Sequence, residues 1–118
     1  MTSVNPTIAG LRRAVETRDA KTLKSFYSGD ATMTIIDSDN PPSKPRTLKG
    51  AKEIGAFLDD VCSRDMTHTL DNGVIDSGHL AYVEACRYPD GTRVVASSTA
   101  ELGPNGIKRQ TVVQAWDN

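Results

Sequence analysis

The feature that most constrains this chain is a change of hydrophobic period half-way along it. Before Asp65 the apolar residues recur at helical spacing, and after it they fall into short, branched, alternating runs split by turn residues. Ile8, Leu11 and Val15 mark a first amphipathic helix, with Asn5 as a cap and Pro6 at its first position, where a missing N–H is harmless. Asp19 caps a short second helix carrying Leu23, Phe26 and Tyr27, which Ser28-Gly29 ends. Residues 31–36 read as a strand running into a loop stiffened against helix and sheet by Pro41, Pro42 and Pro45. After Gly50, Ile54, Phe57, Leu58, Val61 and Cys62 make one apolar stripe opposed by charges, the clearest helix of the chain. Residues 67–70 with 74–75, then 80–88, 93–102 and 107–116, read as four strands in meander order, separated by Gly-, Asp- and Asn-rich turns. Helices gathered first and hairpin strands second predict an α+β domain, with helices on one face of an antiparallel sheet.

Composition removes several classes of function. A chain of 118 residues buries roughly two-thirds of its unfolded surface, enough for one core, and nothing marks a boundary, so one domain over 1–118 is expected. Fourteen Lys+Arg against fifteen Asp+Glu, with no basic run, argue against nucleic acid as a partner. No apolar run approaches the roughly 20 residues of a membrane helix, and residues 1–6 lack a secretory leader's pattern, so no membrane association and a cytoplasmic location are expected. Cys62 and Cys86 lie outside any Cys-x-x-Cys pair, there is no His-x-x-x-His spacing and no phosphate-cradling glycine loop, so no metal and no cofactor are expected. Cys62 reads as a core residue, and Cys86 has no histidine partner evident in the sequence.

Three passages, in order, carry a resemblance. Residues 26–32 (Phe-Tyr-Ser-Gly-Asp-Ala-Thr) resemble an "F-Y-x-x-D-A-T" passage, residues 48–57 an "x-x-G-x-x-x-I-x-x-F" passage, and residues 106–117 a closing strand, of the nuclear-transport-factor-2-like superfamily in its SnoaL-like and ketosteroid-isomerase-like branch. The resemblance covers nearly the whole chain. It implies a cone-shaped curved antiparallel sheet packed against three helices of the N-terminal half, a cystatin-like α+β roll with a small-molecule cavity at its open end. The branch includes isomerases, polyketide cyclases, dehydratases and plain binding modules, and the fold does not choose among them.

Ketosteroid isomerisation needs a carboxylate base and a neutral Tyr–Asp acid pair. The matching positions hold Ile35 for the base, Leu11 for the tyrosine, and Ser98 or Ala100 for the aspartate, so steroid-type chemistry is not expected. Asp37, two residues past Ile35, is a replacement base, or simply a turn aspartate feeding Asp39-Asn40-Pro41. His68, on a strand leading into the cone, is the main acid–base candidate, against the reading of a polar strand-end residue that is simply hydrogen-bonded or solvated; His79, in a hairpin turn, is expected exposed.

Family parity, applied to the alternation of each strand, turns Val83 and Ala85 (with Ala81 and Arg87), Ala96 and Ser98, and Val112, Gln114 and Trp116 toward the cavity, with Tyr27 and Phe57 completing its wall. The small inward residues leave room for a ligand, and Trp116 is the aromatic wall. Tyr82, Glu84, Cys86, Tyr88, Arg93 and Arg109 then face outward, as solvated surface or as the sheet face through which a homodimer forms. One bulge would reverse this and carry Tyr82 and Glu84 inside. The expectation is a small-molecule pocket protein for a modest apolar or polyketide-like ligand, either a cofactor-independent isomerase, cyclase or dehydratase using His68, or a non-catalytic binding or dimerisation module.

Overall fold

Helix α1 (Ile8–Glu16) starts after Asn5 and Pro6, because Thr7 takes the extended cap conformation and its hydroxyl accepts from the Gly10 N–H at 3.0 Å. The computed structural model describes residues 5–117; the leader expectation falls mostly on residues 1–4, which lie outside the described residues. Helix α2 (Ala20–Ser25) is capped by Asp19, whose carboxylate accepts from the Thr22 N–H at 3.1 Å and the Thr22 hydroxyl at 2.6 Å. Tyr27 is not helical, as its spacing predicts, but opens strand β1 (Tyr27–Ile36). The cause is non-local: the Ile107 N–H donates to the Phe26 carbonyl at 2.7 Å and brings Ile107 opposite Tyr27.

The Pro-rich loop ends in a short strand that its composition hides, β2 (Arg46–Lys49), paired antiparallel with residues 32–35. Gly50, at φ +82°, turns the chain from that strand into helix α3 (Gly50–Ser63), a backbone conformation that a residue with a Cβ adopts only under strain. Strands β3 (Thr67–Ile75), β4 (His79–Arg87), β5 (Arg93–Gly103) and β6 (Gly106–Trp116) follow. The two runs expected around Asp71-Asn72-Gly73 are one strand, β3, irregular between Asp71 and Val74.

The six strands form one curved sheet in the order β2-β1-β6-β5-β4-β3. It is antiparallel except where β1 runs parallel to β6, a pairing between the first and last strands that no hairpin signal announces. The helices cover one face, α1 against β3 and α3 against β1, giving the α+β arrangement expected. Between them, Leu11, Met33, Ile35, Ile54, Leu80 and Ile107 are almost wholly buried, each contributing on the order of 1.5–3 kcal/mol. No helix among the described residues is long and apolar enough to cross a membrane.

Strand β5 alternates strictly, with Val94, Ala96, Ser98 and Ala100 buried between exposed neighbours. Residues directly opposite in an antiparallel pair share a face. Tyr82 lies opposite Ser98, Glu84 opposite Ala96 and Cys86 opposite Val94, so these three face the helices. Strand β4 is therefore turned over relative to the expectation: Val83 and Ala85 look outward. No bulge is involved, because the register is continuous from His79 to Arg87. The connection decides it. Five residues, 88–92, join the paired Arg87 and Arg93, so even-numbered positions oppose even-numbered ones.

Candidate functional site

A cavity of about 90 Å³ lies between α3 and the inner face of the sheet. Of the residues expected to wall it, Tyr27, Phe57, Ala96, Ser98, Val112, Gln114, Trp116 and His68 do. Val83 and Ala85 do not, for the reason of register just given. Asp37 does not either: its Oδ1 accepts from the N–H groups of Asp39 and Asn40 and from the Asn40 side-chain amide, each at 2.9 Å. It closes the turn after β1, beyond the strand that would have aimed it inward. Leu11 and Ile35 are each 2 % exposed core residues.

Two buried polar groupings stand on the inner face. In the first, His68 on β3 pairs in register with Cys86 on β4, and its Nδ1 lies 3.2 Å from the Cys86 sulfur and 3.7 Å from Glu84 Oε2. Cys86 is thus the partner of His68, 18 residues away in sequence and adjacent across the ladder. The Cys86 thiol lies 3.9 Å from Glu84 Oε2, and burial, followed by the neighbouring carboxylate charge and hydrogen bond, pushes its pKa up to about 12. The thiol donates to the carboxylate, which only accepts. His68 Nε2 is buried and has no hydrogen-bond partner among the described residues.

The second grouping joins three strands. The Tyr27 hydroxyl donates to Gln110 Oε1 at 2.5 Å, and Gln110 Nε2 donates to the Tyr82 oxygen at 3.0 Å. Tyr82 also hydrogen-bonds Ser98. Burial first, then nearby negative charge including that of Glu84, raises both phenols well above their ordinary range, so both are neutral hydroxyls at physiological pH. Gln110 was missed in the sequence although it precedes Val112 by two positions on the same strand face; Tyr82, Glu84 and Cys86 were missed because they were placed outside.

The mouth is more open. Trp116, 40 % exposed, stacks on Tyr88 at 6.0 Å between ring centroids, and its indole N–H donates to Gln114 Oε1 at 3.1 Å. Arg64 donates to the Tyr88 hydroxyl at 3.2 Å and pairs with Asp60 at 2.6 Å. His79 is exposed, beside Asp76 in its turn.

A scan against protein-family models gives no match, and a search of curated proteins gives none. Solved structures do match over nearly the whole chain. A protein of Burkholderia xenovorans LB400 described as NTF-2 like and of unknown function is similar at TM-score 0.74, with 13% identity over 94% of this chain and 80% of that one. The chain has the nuclear-transport-factor-2-like fold. A Kribbella flavida protein named as a candidate ketosteroid isomerase is similar at TM-score 0.73, with 14% identity over 93% of this chain and 74% of that one. A computationally designed binder of 17-OHP matches at TM-score 0.65 and 17% identity over 93% of both chains. At such identities the likeness concerns the fold, with its sheet curved around helices, and leaves the chemistry to the residues.

Proposed function

We propose that the protein binds a small, largely apolar ligand in this cavity and moves a proton on it without a cofactor, as SnoaL-like isomerases, cyclases and dehydratases do. The observation that carries the reading is His68: a nine-tenths buried residue of the cavity wall, with Nδ1 beside Cys86 and Glu84 and Nε2 without a hydrogen-bond partner among the described residues. Nε2 is the base. Cys86 and Glu84 are positioning residues that fix the tautomer, and the Ser98 hydroxyl, beside the neutral Tyr82, faces the oxygen of a carbonyl ligand. The cavity suits a ligand of modest size, because ligand pockets typically measure roughly 300–1,000 Å³ and this one is about 90 Å³. A polyketide-sized ring system requires Phe57 and Trp116 to swing aside.

The second reading, a binding module, is favoured by the core role of Leu11 and Ile35 where isomerase chemistry needs an acid and a base. In either reading a cytoplasmic homodimer is the expected state, with the outer sheet face as its interface. That face carries Val95 and Val113, 47 % and 48 % exposed, with Val83 and Ala85 beside them, and not the Tyr82 and Cys86 expected from parity.

The test is a screen of small cyclic ketones and aromatic polyketide fragments by the emission of Trp116, the one tryptophan in the chain. Proton exchange on ligands that bind is then measured by NMR in deuterated buffer. The enzyme reading expects catalysed exchange that falls about 10²–10⁴-fold in His68→Gln. Binding with no exchange above the buffer rate overturns it in favour of the module.

A further inference from the structure

We propose that His68, Cys86 and Glu84 also form a binding site for a divalent metal ion of the zinc type, with its open coordination position toward the cavity. The three donors are one imidazole nitrogen, one sulfur and one carboxylate oxygen, all within 4.8 Å of one another. Bonds of about 2.0–2.3 Å in a tetrahedral zinc site set the ligand atoms roughly 3.3–3.6 Å apart. Here the three edges are 3.2 Å for Nδ1 to Sγ, 3.7 Å for Nδ1 to Oε2 and 3.9 Å for Sγ to Oε2. Each edge lies within about half an ångström of the range a zinc ion needs, so the triangle is already drawn in by the fold.

The backbone explains why it is. His68 and Cys86 face each other across the β3–β4 ladder, and Glu84 is two residues from Cys86 on the same face. His68 and Cys86 are 7 % and 8 % exposed, so neither side chain is free to drift into solvent. Among the described residues, the ion-pair partner of Glu84 is His68, while Arg64 at the mouth is engaged by Asp60 and Tyr88, so no lysine or arginine among them pairs with the carboxylate. A mixed sulfur, nitrogen and oxygen set suits zinc and disfavours magnesium and calcium, which take oxygen donors. Three protein ligands leave one position, and the cavity is beside it.

Binding changes the protonation of the cluster in a balanced way. The thiol proton leaves to solvent, one per ion bound, and the imidazole proton passes from Nδ1 to Nε2. Nε2 becomes a donor. The metal-loaded protein therefore lacks the base assigned to His68, and metal and proton transfer are alternative uses of one cluster. The site itself stands on the triangle of donors, whichever reading of the cavity holds.

The experiment titrates chelator-stripped protein with Co²⁺, followed by its absorption, and with Zn²⁺ against a chromogenic chelator. One ion per chain, a near-ultraviolet thiolate-to-cobalt band, and visible bands of tetrahedral intensity are expected. The band should vanish in Cys86→Ser and persist in Cys62→Ser, and Zn²⁺ affinity should fall at least about tenfold in Glu84→Gln, since even outer-shell losses cost roughly 10–100-fold. Because Cys86→Ser removes a buried contact, the unaltered protein supplies a second reading: ¹H–¹⁵N correlation of the His68 ring should show Nδ1 metallated and Nε2 protonated at one equivalent of Zn²⁺. A missing cobalt band, a band that follows Cys62, or shifts confined to His79 would each overturn the site. Proton exchange measured with chelator present reports on the base reading separately, so the failure of one is not mistaken for the failure of the other.

Discussion

Replacing Gln110 by leucine tests whether the buried Tyr27–Gln110–Tyr82 relay holds the cavity wall together. Gln110 is 4 % exposed and makes two side-chain hydrogen bonds, one to each phenol. Losing them costs about 1 kcal/mol each, so the variant should be destabilised by about 2 kcal/mol or more. Against a typical total of about 5–15 kcal/mol that is a large loss, easily read from urea unfolding followed by far-ultraviolet circular dichroism. A double-mutant cycle sharpens the test. Tyr82→Phe should cost less in the Gln110→Leu background than with Gln110 present, because the bond to Gln110 is already gone there and only the contact with Ser98 remains to be lost. A cost under about 1 kcal/mol for Gln110→Leu, or an equal cost of Tyr82→Phe in both backgrounds, would refute the relay as a coupled network.

Three further outcomes follow from the geometry. Burial, with the Glu84 carboxylate beside it, pushes the Cys86 thiol from its ordinary value of 9.0 up to about 12, so it contributes stability below pH 9 that is lost as pH rises from about 9 toward 12; Cys86→Ala should flatten that alkaline decline in urea midpoints, and an unchanged slope would mean the thiol is not held neutral by its surroundings. A charge at Val113, 48 % exposed on the outer sheet face, should convert a dimer to monomer in sedimentation equilibrium at unchanged circular dichroism, provided the face buries a standard interface of roughly 1,200–2,000 Å²; a parent protein already monomeric at tens of micromolar sinks the dimer. Gly50→Ala, at φ +82°, should cost about 1 kcal/mol or more by thermal unfolding, and a neutral outcome would show that the β2–α3 junction relaxes easily.

What could be read along the chain was local. The Asp19 cap, the stripe of Ile54, Phe57 and Leu58, and the alternation of 93–102 each depend on neighbours within a turn or a pleat, so period and capping chemistry reveal them before anything packs. The α+β class and a cavity walled in part by Ala96, Ser98 and Trp116 followed from those signals and from the resemblance. Tertiary structure decided the rest. Strand β1 runs parallel to β6 from the other end of the chain, and pulling Tyr27 into that pair overrode its helical spacing. Strand alternation says which residues share a face but not which face is covered, and a five-residue connection placed Tyr82, Glu84 and Cys86 under the helices and Val83 and Ala85 outside. His68 and Cys86, with no metal-like or triad-like spacing, became neighbours only because two strands aligned in one register. Asp37 lost its place because a turn offered its carboxylate three donors at no cost in desolvation. Periodicity is a property of the chain's own backbone; register is a property of pairs of strands, and the polar cluster of this cavity exists only in the second.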